Sequence, residues 1–298
     1  MRIDGVLIDD TFAEAFGMKA TRLIVTAHNA TWARNAGIAA TGFATSVIGC
    51  GCEAGIEREL SPAETPDGRP GVALLLFSMS TKELTKQLER RVGQCILTCP
   101  TTAVFGGLAE GEALPLGKTL RYFGDGFQIS KLVGGRRYWR IPVMDGEFLC
   151  EESTVMVKAV GGGNFLIVAE TQAIALASAE AAIVEMRSVA GVIMPFPGGV
   201  VRSGSKVGSK YKALGASTND AFCPSLRGRV KSEMGEGENC VMEIVIDGLT
   251  ADHVAQATAV GVRAACKVPG VKRITAGNYG GKLGPFHFHL RKILGDAA

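Results

Sequence analysis

VALLLFSMSTKELTKQLERRV, residues 72–92, is the stretch whose reading decides the fold. Six apolar residues in succession, 72–77, predict a strand buried on both faces. Ser80 followed by Glu83 forms a capping box, in which the serine oxygen takes one of the amide protons that a helix start leaves unpaired. Leu84, Leu88 and Val92 then recur every four residues, the spacing of one helical face. The same phrase returns near the other end of the chain. CVMEIVI, 240–246, reads as a strand, and Thr250 with Asp252 starts a helix through about Cys266.

Working outward from 72–92, TRLIVTA at 21–27 reads as a strand, and Asn29 caps a helix through about Ala40 that carries Trp32 and Ile38 among its apolar positions. ATSVIGC, 44–50, is expected to return as a second strand, with 57–70 a polar surface loop and 95–98 a short closing strand. Residues 100–160 contain hairpin-like material at 120–123, 138–143 and 154–160, separated by Gly-Asp-Gly, Gly-Gly and Asp-Gly turns. The first pattern then repeats: FLIVA at 165–169, a helix of small residues from about 172 to 187, a strand at 192–194, and, after the 240–266 unit, a strand at 271–275.

Each half is strand, helix, strand, an excursion, then strand, helix, strand. That plan predicts an α+β fold of two ferredoxin-like, split βαβ lobes related by internal duplication. The expected division is 1–148, an N-terminal lobe with a hairpin insertion, and 149–298, a C-terminal lobe whose last strand and tail pack back on the first.

The charge balance is near neutral, 32 basic against 29 acidic residues, which gives no global case for nucleic-acid or membrane binding. No signal peptide or membrane span is read, so a cytoplasmic protein is expected. The eight cysteines lie mostly in apolar runs and read as buried reduced thiols, and nothing completes a metal set around Cys50 and Cys52. Charge is instead concentrated locally. Between residues 200 and 231 stand Arg202, Lys206, Lys210, Lys212, Arg227, Arg229 and Lys231 against the single acid Asp220.

Within that region MPFPGGVVRSGSKVGSK, 194–210, joins stiffening prolines, glycines that let backbone approach a ligand, and serine and lysine donors. It reads as an anion-holding loop or, more plainly, as a solvated Gly/Ser loop. AGNYGGKLG, 276–284, is a second glycine-rich loop with polar donors, and Gln94, Thr101 and Thr102 mark a third candidate wall. In CVMEIVI, alternation places Val241, Glu243 and Val245 on one face and Met242, Ile244 and Ile246 on the other. Glu243 is either a solvent-facing acid or a desolvated carboxyl with a raised pKa, fit to move or donate a proton. Aligning Ser80 with Thr250 puts Glu243 where the first unit has Ala73, so the fold itself does not call for an acid there. His287 and His289 share one face of a final strand and read as surface residues rather than metal ligands. No GxxxxGK[ST] loop supports a nucleotide-phosphate binder.

Taken together the motifs resemble formylmethanofuran:tetrahydromethanopterin formyltransferase. The likeness runs in order through DGVLIDDTFAEAF (4–16), ATGFATSVI (40–48), EAGIE (53–57), SPAETPDGRPGV (61–72), GQCILTCPTTAVF (93–105), YFGDG (122–126) and GGNFLIVAETQ (162–172). It continues through PFPGGVV (195–201), SGSKVGSKYK (203–212), ASTNDAFCPS (216–225), MEIVIDGL (242–249) and PGVKRITAGNYGGKLG (269–284). IGCGCE at 48–53, the ending HLRKILGDAA and a modest acid content depart from the archaeal pattern and favour a bacterial, methylotroph-type subunit of a formyltransferase/hydrolase complex.

The resemblance implies formyl transfer between N5 of tetrahydromethanopterin and the amine of methanofuran or an analogue. No metal or prosthetic group is implied, and the carriers serve as substrates. It also implies homo-oligomers and partner subunits, with formyl moving toward formylmethanofuran during formaldehyde oxidation to formate. The family glutamate that stabilises the tetrahedral intermediate falls on Glu243. Carrier binding is expected from Phe196, Pro197, Gly198, Gly199, Ser203, Ser205, Lys206, Lys210, Asn219, Asn278 and Lys282. The competing reading is a non-catalytic assembly subunit that binds carriers for partner enzymes.

Overall fold

The computed structural model describes residues 1–202 and 205–295. The chain forms two compact units, Met18–Ala159 and Met1–Gly17 with Val160–Ala298. The boundary falls inside two long strands, Phe12–Thr26 and Ser153–Ala169.

Both units follow the split βαβ plan. In Met18–Ala159, strand Gly71–Ser78 pairs antiparallel with Phe12–Thr26 on one side and with Glu53–Leu60 on the other, and Phe12–Thr26 pairs in turn with Ala103–Gly106. In chain order the four strands therefore lie 4-1-3-2. In the other unit, Cys240–Gly248 pairs antiparallel with Ser153–Ala169 and with the short Val192–Ile193, while Val271–Thr275 pairs antiparallel with the far side of Ser153–Ala169. This is again 4-1-3-2. The register agrees as well: Ile24 opposes Ala73 as Leu166 opposes Glu243. Each pair stands at the same offset from its helix caps.

The caps anticipated from sequence are made. Asn29 accepts the amide of Trp32, Ser80 that of Glu83, and Thr250 that of His253, opening helices Ala30–Thr41, Thr81–Arg91 and Ala251–Cys266. Thr171 does the same for Gln172–Met186. In the Met18–Ala159 unit, Leu84 and Leu88 join Leu23, Val25, Leu74 and Leu76 in a closed core. In the other unit, Ile244 and Ile246 lie with Phe165 and Ile167 against Ala179, Ala182, Val254 and Ala257. Small residues dominate these helix faces, which lets helix and sheet backbones approach closely.

Four local expectations fail, each for a visible reason. Residues 44–50 do not form a strand. Ser46 caps a single turn, Val47–Cys50, and Gly51, at φ 77°, ends it in the left-handed conformation, so the capping pair outweighs the β-branched content. The strand lies one step later, Glu53–Leu60, and its second half takes the first four residues of what reads as a polar loop. Its charges belong to a sheet edge, where Glu57 takes two hydrogen bonds from Arg22. Residues 95–98 are not a strand because buried Val92 and Ile96 prolong the preceding helix through a π turn, with the Leu97 amide bonded to the Val92 carbonyl at 2.8 Å. Residues 120–123 fall in the turns Gly117–Leu120 and Arg121–Gly124. No helix among the described residues is long and apolar enough to cross a membrane.

Candidate functional site

Glu243 sits in the third position of the Val160–Ala298 unit's plan, on the sheet face turned away from Ile244 and Ile246. The strand alternates in burial as its sequence predicts. Its backbone is clamped. Val201 donates its amide to the Glu243 carbonyl at 2.7 Å, and the Glu243 amide donates to the Val201 carbonyl at 2.9 Å. The carboxyl has no hydrogen-bond or ion-pair partner among the described residues. It keeps some access to solvent, yet its surroundings are apolar enough that burial pushes its pKa up to about 7. A glutamate in that state is present in both protonation forms near neutrality, which suits a group that donates to a developing oxyanion.

The carboxyl opens into a recess lined by Leu166, Val201, Arg202, Asn219, Phe222, Cys223 and Val241. The recess is small, about 30 Å³ of free space, far below the volume of a small-molecule site, which is room for a reacting group rather than a whole carrier.

The edge beside Glu243 is interrupted. Val192–Ile193 pairs with Gly248 and Asp247, the chain then leaves the sheet, and pairing resumes only at Val201. The departure is the proline- and glycine-rich stretch. Phe196 precedes the turn Pro197–Gly199, Gly198 (φ 65°) is exposed and lies in the left-handed region, and Gly199 (φ 88°) is buried against Ile183. Gly199 thus serves packing as well as the turn, and Gly198 faces solvent.

Beyond it, Ser205–Val207 pairs with Ala216–Thr218 as a small hairpin. Lys206 is not a free cation: its ammonium lies 2.9 Å from Asp220, whose carboxyl that hydrogen bond holds below the usual range. Lys210 is exposed and has no ion pair among the described residues, as is the case for Arg202. Asn219 lines the recess and opens the turn Asp220–Phe222. Ser203 lies outside the described residues.

The second glycine-rich loop is built differently from its reading. Asn278 donates to Thr11 Oγ1 and the Phe12 carbonyl, and four loop amides converge on Glu14. Lys282 projects exposed between them. The root of this loop reaches the Glu243 face through Asn164, which accepts the Gly277 amide at 2.6 Å and stands two residues from Leu166 in the same strand.

Sequence reasoning missed Leu166, Val201, Phe222 and Cys223 as lining residues, whereas it read Arg202 as a cation of the anion-holding loop and placed Val241 on the face of Glu243. Leu166 enters through the cross-strand register that sets it opposite Glu243, whereas Phe222 and Cys223 arrive on a loop that no local pattern predicts. His287 and His289 are exposed and stand over the Phe12 ring, with centroids 4.8 and 5.2 Å away. All eight cysteines are free thiols, and burial raises that of Cys52 to about 11, which leaves it inert as a nucleophile. Among the described residues no cluster of three or more histidine, cysteine or acidic side chains is arranged to hold a metal.

Comparison with known proteins identifies the family and the fold. The family model for formylmethanofuran-tetrahydromethanopterin formyltransferase matches residues 1–143, and the model for its proximal lobe matches 146–293. A formylmethanofuran–tetrahydromethanopterin formyltransferase of Methylococcus capsulatus is 69% identical, covering 99% of this chain and 100% of that one. The formyltransferase of Methanosarcina barkeri superposes with a TM-score of 0.94 at 48% identity, over 98% of this chain and 100% of its own. A chain of the formyltransferase/hydrolase complex of Methylorubrum extorquens, solved with methylofuran, gives 0.97 at 52% identity, over 100% and 99%. The chain belongs to the formylmethanofuran-tetrahydromethanopterin formyltransferase family.

Proposed function

We propose that this chain transfers a formyl group between N5 of tetrahydromethanopterin and the amine of a methanofuran-type carrier, with Glu243 as the catalytic residue. The carrying observation is a lone carboxyl, raised to about 7, at the base of a recess in a chain of this family. The acceptor nitrogen attacks the formyl carbon, and a new C–N bond forms as the carbonyl oxygen gains negative charge. Protonated Glu243 donates a hydrogen bond to that oxygen. Collapse restores the carbonyl, breaks the donor's C–N bond, and leaves the departing nitrogen with the proton that the attacking nitrogen gave up.

The anionic portions of the carriers lie along the cationic side of the recess, with Arg202 and Lys210 as available charges and Asn219 as a hydrogen-bonding group. Phe196, Pro197 and Gly198 form the loop wall. Formyl moves toward the methanofuran-type carrier, in the cytoplasm, with the chain working as an oligomer alongside hydrolase subunits. The relative crystallised in such a complex with methylofuran supports that assignment.

The test is steady-state transfer by the purified protein with both carriers, wild type against Glu243→Leu, whose side chain cannot donate a hydrogen bond. The variant loses about 10²–10³ in kcat, the usual effect of removing one oxyanion donor. Full activity in the variant removes Glu243 from catalysis. No transfer by the wild type, with carriers still bound, favours the assembly-subunit reading instead.

A further inference from the structure

Glu14 is a buried acid distant from Glu243 in sequence, and the transfer step makes no use of it. It lies in strand Phe12–Thr26 and is 2% exposed. Its carboxylate accepts backbone N–H bonds from Tyr279 at 2.7 Å, Gly281 at 3.1 Å, Gly284 at 2.9 Å, and Leu283. Its own amide donates to the Gly277 carbonyl at 3.2 Å. Convergent amides in a glycine-rich segment form an anion nest. Here the nest is filled from within the chain, so its amides are not available to a carrier's phosphate or carboxylate. Burial alone would raise the carboxyl's pKa; the four amide bonds outweigh that and hold it below the usual value, so Glu14 is charged at neutral pH.

The loop wrapped on this carboxylate leaves one side chain of opposite character facing out. Lys282, between two of the amides bound to Glu14, is exposed and has no ion pair among the described residues. Gly280 (φ 68°) and Gly281 (φ 74°) take the left-handed turns that bring the amides inward, and the loop's root is tied to the Glu243 face by Asn164.

We propose that Glu14 is a positioning residue that folds 278–284 around itself and thereby presents Lys282 as the cation for an anionic group, phosphate or carboxylate, of one C1 carrier. This rests on the formyl-transfer reading. Glu14 touches no reacting atom, and its effect passes through the placement of Lys282.

The experiment is a double-mutant cycle in the full protein: wild type, Glu14→Gln, Glu14→Asp, Lys282→Ala and Glu14→Gln/Lys282→Ala. It reads kcat, KM for each carrier, and amide hydrogen exchange across 278–284. Glu14→Gln is expected to raise KM for one carrier about tenfold, the scale of one lost charged contact, with kcat within about twofold, and to speed exchange in the loop. Glu14→Asp, which keeps the charge, recovers part of the loss. Lys282→Ala raises KM for the same carrier, and the double variant is no worse than Lys282→Ala alone. Multiplying penalties, equal losses for both carriers, or a lowered melting temperature with unchanged KM overturns the proposal. An inactive wild type overturns the functional reading, whereas an active wild type with KM unmoved in Glu14→Gln overturns only the positioning role.

Discussion

Ala73 and Glu243 occupy the same place in two copies of one architecture. Each lies on the third strand, opposite Ile24 or Leu166 on the first, and seven residues before the cap of the second helix. Around Ala73 the edge strand, Glu53–Leu60, stays paired on both sides of a bulge between Ile56 and Arg58, and Ala73 is 2% exposed. Around Glu243 the edge is broken over 194–200 and a recess takes the place of a packed surface. Sheet order and register thus make no demand for an acid. The carboxyl appears in the unit where the neighbouring edge has been opened, and its environment rather than its strand sets its chemistry.

The sharpest way to break that comparison is to put the acid in the closed unit. Ala73→Glu is expected to destabilise by about 3–5 kcal/mol, the cost of a buried charge with no partner, measured by urea unfolding. A loss below about 1 kcal/mol would mean that both units tolerate the acid and that the broken edge is irrelevant to it.

The next effect is on pH. Glu243 has its folded pKa raised to about 7 against an ordinary 4.5, so its neutral form is favoured by folding. The resulting contribution is fully present below about 4.5 and is lost as pH rises through about 7. Glu243→Gln is therefore expected to match the wild type near pH 4.5 and to exceed it by about 2–3 kcal/mol at pH 8, discounted for the residue's partial access to solvent. The wild type's transfer rate should fall through about pH 7, a limb absent in the variant. A pH-independent stability difference contradicts the desolvated carboxyl.

The broken edge can be probed directly. Gly199→Ala, at φ 88° against Ile183, is expected to cost about 1–3 kcal/mol, and Gly198→Ala, at φ 65° facing open space, about 1 kcal/mol. Equal costs would indicate that packing behind the loop is loose. The smallest effect concerns Lys206. Because its pair with Asp220 is exposed, Lys206→Ala leaves the melting temperature unchanged, and any rise in carrier KM reports binding alone.

Much of this was legible in the chain, for reasons tied to particular residues. Asn29, Ser80 and Thr250 announce helix starts because short polar side chains satisfy amides locally, and VALLLF and CVMEIVI announce strands through unbroken or alternating apolarity. The edge strand Glu53–Leu60 was hidden because its charges pair across the sheet and so read as loop. The π turn at Val92–Ile96 was hidden because its apolar residues suit strand and helix alike. Glu243 was visible as an acid in an apolar strand. Glu14, in FAEAF, gives the same signal, but the amides that explain it lie some 265 residues away and no local pattern reveals them. Lys206 was legible as a cation but not as a paired one, since Asp220 reaches it only across a hairpin.

The two bonds between Val201 and Glu243 have a thermal consequence. They fix φ and ψ of the acid before any carrier arrives, so only side-chain torsions remain to be ordered during turnover. Loss of the clamp, as by Val201→Pro, removes the amide donor and should appear as a more negative activation entropy with little change in activation enthalpy. An Eyring plot of wild type against that variant measures how much of the catalyst's order is carried by its main chain.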